Sequence, residues 1–416
     1  MRRAGASSSV SSRASSSRSL ALAVLTGAYV LSQFYRSYVA VIATQLIDDL
    51  HLSPQMFGLF AGALYFTFAF AQLPLGLAFD RYGVRRPVLF CMVIGSMGAL
   101  ALPLTHSIPV AIAAHVGLGI GCAPLYMGLL NFVLKTGNGE EQVRIVTRAS
   151  AMGYVGAVAA GLPLAFGVAM MGWRWSLGIV GLLMVAATVG VALSLHEEPA
   201  AASPQAASAA GDAGSPRTAM TSRIAFAALV PVSFALIAGG TFRMSWGGPY
   251  FADIFQFDVV QRGYAMTAAS LLAMAWALSI SRVLRVMAVK TLVLCTFAVG
   301  VASALVLAQW PAQSAWLGVT LVCVLFCVGS MHPLVMAQAR SVVPPRSLGL
   351  WLGLLNSMVF LGVAVSNSAF GWIAEQAARQ GVVGGAMYTR LFLFTALVMF
   401  IGWLGATLGP GNRAPP

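Results

Sequence analysis

Twelve apolar runs, each 19 to 27 residues long, follow one another from about position 19 to position 408 of this 416-residue chain. A helix rises about 1.5 Å per residue, so every run can cross the roughly 30 Å hydrocarbon core of a bilayer. The runs lie at about 19–43, 55–79, 87–105, 109–134, 147–170, 174–195, 224–250, 263–281, 289–309, 315–338, 348–373 and 390–408. Their apolar residues are continuous rather than alternating, which selects helices over a β-barrel. Only 8% of the chain is charged, where a soluble domain carries roughly 25%. The expectation is an all-α, polytopic membrane protein of twelve transmembrane helices.

The segment 196–222, rich in Ala, Ser and Pro, reads as a cytoplasmic linker between a bundle at 19–195 and a second six-helix bundle at 223–409. Residues 1–18 read as a disordered cytoplasmic tail, with a targeting role left open, and 410–416 as a short tail on the same side. With both termini inside, 18 of the 24 Lys and Arg fall in tails and cytoplasmic loops. That bias fixes the orientation and points to the cytoplasmic membrane.

The net charge of +13 does not imply nucleic acid, because no polar domain is available to carry a basic cluster. All five cysteines sit in apolar runs and read as buried apolar residues; no metal or cofactor site is expected. An enzyme is not expected either, for want of a nucleophile motif, ligand cluster or phosphate loop.

A shift of 205 residues lays 46–58 on 251–263, pairing Asp48 with Asp253 and Gly58 with Gly263. The chain is therefore a duplicated six-helix unit. The same shift lays Gly76 on Ser281 and Asp80 on Arg285, so one loop has decayed in the second copy.

That loop, Gly76-Leu-Ala-Phe-Asp80-Arg81-Tyr-Gly83-Val-Arg85-Arg86, resembles the signature between the second and third helices of the major facilitator superfamily. "GWRW" at 172–175 supports the resemblance, which covers nearly the whole chain. It implies two six-helix bundles rocking about a central site, with Gly76, Asp80, Arg81, Gly83, Arg85 and Arg86 as a conformational latch. Read from chemistry alone, Gly76 allows close helix approach, Gly83 a tight turn, and Asp80 accepts hydrogen bonds from Arg81, Arg85 or a helix N-terminus. The plainer alternative is a positive-inside loop.

Arg36 and Arg243 are the two cations inside crossings. An arginine at the bilayer centre costs about 2.5 to 3.5 kcal/mol on insertion scales, so each should face a cavity or a partner. Thr26, Tyr29, Gln33 and Arg36 fall on one helix stripe, and Arg243 shares a face with Trp246 and Tyr250. No Asp or Glu lies mid-crossing, so an anionic substrate is the natural counter-charge. The alternative is that both arginines bond backbone carbonyls or snorkel outward. "SQFYRSYVAVIATQLIDDLHLSP" is also similar to the first helix of facilitators that move organic anions and organophosphates, whose arginine stands where Arg36 does.

His115 stands where the family pattern in the fourth helix has an arginine, and is a candidate for coupling to H+; a counter-anion is the other option. Asn356 and Asn367 share a face with Phe360 on the eleventh helix, and Asn356 is placed in the site. His332 and Met336 have a spacing open to a soft metal. The expected function is secondary active transport, by alternating access, of a small organic anion by a monomer in the lipid bilayer. A drug, cation or soft-metal transporter of the same fold competes with it, and a non-transporting membrane sensor stands third.

Overall fold

A computed structural model describes residues 4–136, 139–195, 216–343 and 348–409. Helix is the only regular structure among the described residues. Nine helical stretches are individually long and apolar enough to cross a bilayer, and one of them, Arg144–Ser194, spans 51 residues and holds two crossings. The first and seventh crossings, each broken along its length, complete the twelve.

The helices run further than hydropathy alone suggests. The first begins at Ala4 and continues to Tyr35, so positions 4–18, expected to be a disordered tail, are helical. Gly5 is the only helix breaker in that stretch, so nothing in its backbone stops the apolar helix from extending. The seventh begins at Pro216, inside the expected linker, and the eleventh ends at Arg379. The rest of the linker, 196–215, and the tail 410–416 lie outside the described residues.

Four crossings break. The first stops at Tyr35 and resumes as Val39–Leu50. The fifth, Gly139–Ala159, breaks before Leu162, and Gly172, at φ 79°, turns the chain into the sixth. Only glycine adopts that φ without strain. The seventh passes through a π turn at Phe242–Trp246, and the tenth through a 3-10 turn at Val328–Met331 before His332–Arg340. Irregular backbone at membrane depth survives only where the freed carbonyls find donors. Here they do: Arg36 O accepts from the Tyr65 hydroxyl, and Ser37 O and Ala157 O accept from Arg243.

The 205-residue offset is legible in the backbone. Among the described residues, His51 and Gln256, at φ 49° and 55°, are the two non-glycine residues with positive φ, and each ends an outer half-helix. Two residues on, Ser53 and Asp258 cap the next helix by accepting from the Met56 and Gln261 amides.

The halves close tightly at the end remote from Leu408, called here the far end. A Cβ on Gly58 would lie 2.5 Å from the Asn367 carbonyl oxygen and 2.8 Å from Gly371 Cα, so the second and eleventh crossings touch backbone to backbone. Its repeat mate Gly263 packs the eighth crossing against Ala165 and Leu162 of the fifth. Gly248 of the seventh sits against the Ala40 carbonyl of the first. Arg262 donates to Thr44 Oγ1 at 2.5 Å across the same seam. Toward the other end the contact thins: a Cβ on Gly353 would meet only a Leu73 methyl, and Gly76 and Gly349 have open space.

Candidate functional site

Arg36 sits on the break in the first crossing, where the helix has ended and side chains on the Tyr29 stripe face inward. Its Nη2 donates to Gln33 Oε1, and Gln33 Nε2 donates in turn to Tyr29 Oη at 2.8 Å. The stripe is thus a linked row with a fixed polarity. Arg36 Nε is buried with no hydrogen-bond partner, and Nη1 makes no bond to a described residue. No carboxylate among the described residues pairs with it. The guanidinium carbon lies 5.4 Å from the Phe68 ring and 5.6 Å from the Phe360 ring, one ring from each half. Those rings are 4.2 Å apart, and the Gln72–Asn356 bond lies about a turn nearer the open end than they do.

The opposite wall comes from the tenth and eleventh crossings. His332 Nε2 meets Asn356 Oδ1 at 3.0 Å, and Asn356 Nδ2 donates to Gln72 Oε1 of the first half at 3.0 Å. Gln72 Nε2 donates to the Phe68 carbonyl. His332 lies within electrostatic reach of Arg36. Asn356 was expected in the site; Gln72 was missed, although it is a lone amide in an apolar run, and His332 was weighed only as a metal ligand.

Arg243 does not join this wall. It is fully buried, with Nε and Nη2 donating to Ser270 Oγ at 3.1 and 2.7 Å, Nη1 to Ser37 O at 3.0 Å and Nη2 to Ala157 O at 2.7 Å. The backbone-carbonyl alternative describes it correctly. The repeat offset gives the reason: Arg243 corresponds to Tyr38, itself wholly buried, while the counterpart of Arg36 is Thr241. Trp246 follows it into the far-end seal, its ring 5.1 Å from Phe57 and 5.9 Å from Phe370. Tyr250 is fully buried and donates to Pro311 O at 2.6 Å, which makes it a core residue of the second half.

His115 is 1% exposed, stacked on Phe60 at 4.2 Å. Its Nδ1 donates to the Phe60 carbonyl at 2.6 Å, tying the fourth crossing to the second. Its Nε2 is sealed in without a partner. In this conformation the ring has no contact with the open side from which a coupled proton would come.

At the signature loop, Gly83 turns the chain at φ 72° as the tight-turn reading expects. Arg81 lies 5.3 Å from the Tyr82 ring, and Arg85 Nη2 donates to Ala192 O at the end of the sixth crossing. A cation on a helix C-terminus is favourable on dipole grounds. Asp80 is exposed and bonds no described residue, and Gly76 has no close neighbour. Of the residues expected to form a latch, Arg85 holds a helix end in this conformation, and Asp80 bonds no described residue.

Residues 25–367 match the family model described as the Major Facilitator Superfamily. The chain belongs to that superfamily. Among solved superfamily folds, a bacterial homologue of the human lysosomal transporter Spinster, inward-facing and unoccupied, superposes with TM-score 0.71 at 16% identity over 96% of this chain and 99% of that one. A D-xylose–proton symporter superposes with TM-score 0.71 at 12% identity over 92% and 97%. In sequence, a probable L-galactonate transporter of Escherichia coli (strain K12) is 25% identical over 170 residues, 41% of this facilitator. The match spans 38% of that relative's length. The protein is a multi-pass membrane protein of the facilitator fold.

Proposed function

We propose that this facilitator moves a small organic anion by alternating access, with Arg36 as the group that holds the anion's charge. One observation carries the reading: Arg36 is partly buried at a helix break, keeps Nε and Nη1 unbonded, and lacks a protein carboxylate among the described residues. A desolvated guanidinium with spare donors favours a planar oxyanion, which it can grip with two parallel bonds. The galactonate-transporter relative supports a sugar acid as the class of anion.

The basic loops put the termini end in the cytoplasm, so the conformation seen is sealed outside and opens inward. The seal must break and the inner ends must close in the other half of the cycle. The protein acts as a monomer in the cytoplasmic membrane; its parallel repeats build the site within one chain. Uptake into proteoliposomes, competed by a panel of carboxylates, phosphate esters and neutral sugars, tests the reading. Competition by sugar acids above the neutral sugars is expected; equal competition by neutral sugars and acids would overturn it.

A further inference from the structure

The second wall of the site has a hydrogen-bond polarity that can be worked out from one backbone atom. The Phe68 carbonyl can only accept, so the group 3.3 Å from it must be the amide nitrogen of Gln72. Gln72 Oε1 therefore faces Asn356, whose nitrogen donates to it, and Asn356 Oδ1 faces His332 Nε2. An oxygen acceptor there requires that Nε2 carry the hydrogen. In the neutral ring Nδ1 is then a bare acceptor. Nδ1 bonds no described residue, and it is not among the polar atoms sealed from solvent without a partner.

The contrast with His115 is informative. That ring has the opposite tautomer, Nδ1–H to the Phe60 carbonyl, and its remaining nitrogen is buried. Of the two, only His332 keeps its unbonded nitrogen outside the sealed atoms, where a ligand can reach the lone pair. Within electrostatic reach of it lies the donor-rich Arg36, whose Nη1 bonds no described residue, at the head of the row that runs through Gln33 to the Tyr29 hydroxyl.

We propose that His332 is a specificity-determining residue whose Nδ1 accepts a hydrogen bond from a hydroxyl of the substrate while the substrate's carboxylate lies on Arg36. This deepens the proposed function and rests on it for the carboxylate. The ligand class that fits both walls is a hydroxy acid: an acceptor group at one end, a donor hydroxyl a few carbons away. A fixed acceptor rejects an analogue without the hydroxyl because the acceptor is then desolvated and left unpaired.

The test uses full-length protein in lipid nanodiscs, with affinities read from ligand-induced thermal shifts for galactonate, hexanoate and galactitol. Wild type is expected to prefer galactonate to hexanoate by about tenfold or more. His332→Leu should reduce that preference to near unity while hexanoate affinity stays within about threefold. His332→Phe keeps a planar ring and carries no acceptor, so it should also reduce the preference and serves if the leucine variant does not fold. No preference in wild type, or a preference kept in the His332 variants, overturns the inference. Failure of the anion reading looks different: galactitol would then bind as well as galactonate, and the His332 variants would weaken both alike.

Discussion

Arg243 of the seventh crossing donates to the carbonyl of Ser37, the residue beside Arg36 on the break of the first. The arginine of the second half thus holds the backbone that presents the arginine of the first. Its other bonds go to Ala157 O and Ser270 Oγ, so one buried cation pins the first, fifth, seventh and eighth crossings together. On the proposed alternating-access cycle, the bonds to Ser37 O and Ala157 O are given up when the far end opens. The two arginines therefore have different duties, and variants of them should part company.

Arg243→Gln is expected to slow uptake at least about tenfold while changing affinity for the anion less than about threefold, because it weakens one conformation and touches no ligand. Bonds to a buried charge contribute about 1.5 to 3 kcal/mol each, so the thermal unfolding temperature should fall as well. An affinity loss as large as that of an Arg36 variant would return Arg243 to the site.

The far-end seal depends on two glycines related by the internal repeat. Gly58→Val would push a side chain into the Asn367 carbonyl and Gly371, and Gly263→Val into Ala165, all backbone or short side chains that cannot swing away. Each variant should insert and express yet transport at less than about a tenth of the wild-type rate, held with the far end open. Distances between spin labels placed on the far-end loops should lengthen; unchanged distances would show that the seal tolerates the bulk.

Asp80 bonds no described residue in this conformation, so Asp80→Asn should leave the stability of this conformation unchanged within about 0.5 kcal/mol. If Asp80 is a latch, as the signature loop's resemblance implies, its effect belongs to the opposite state of the proposed cycle, where the inner ends meet. Turnover should therefore drop sharply with no change in unfolding temperature, and Arg285→Ala in the decayed copy should be milder. A large loss of stability in Asp80→Asn would mean that the carboxylate has a partner here.

The sequence shows the twelve crossings, the duplication and Arg36 because each leaves a one-dimensional trace: a run length, an offset, a cation in an apolar stripe. The role of Arg243 is not legible in the same way. Its position two residues out of step with Arg36 in the repeat turns it from the cavity to the seam, and that depends on where the helices break. Neither break at Arg36 nor at Phe242 is marked by proline. Gln72 and His332 are visible as polar residues, but their joining through Asn356 links positions 72, 332 and 356, a contact made only when the halves are packed.

Arg36→Lys is the sharpest test of the anion itself. Lysine keeps the charge at the helix break and can still bond Gln33, so insertion and folding should be close to wild type. What it loses is the planar fork and the Nε donor that is now buried without a partner. Losing a desolvated, charge-assisted pair costs about 2 to 4 kcal/mol, so affinity for a sugar acid should fall about thirtyfold to a thousandfold. Arg36→Gln removes the charge as well and should abolish measurable competition by acids at concentrations that saturate wild type. The flanking rings add a second readout: Phe68→Leu and Phe360→Leu remove aromatic faces from the guanidinium but no donor, so each should weaken binding by less than about tenfold. If Arg36→Lys and Arg36→Gln both took up the anion with wild-type affinity, the guanidinium would be serving only Gln33 and the two rings, and the anion assignment would be withdrawn.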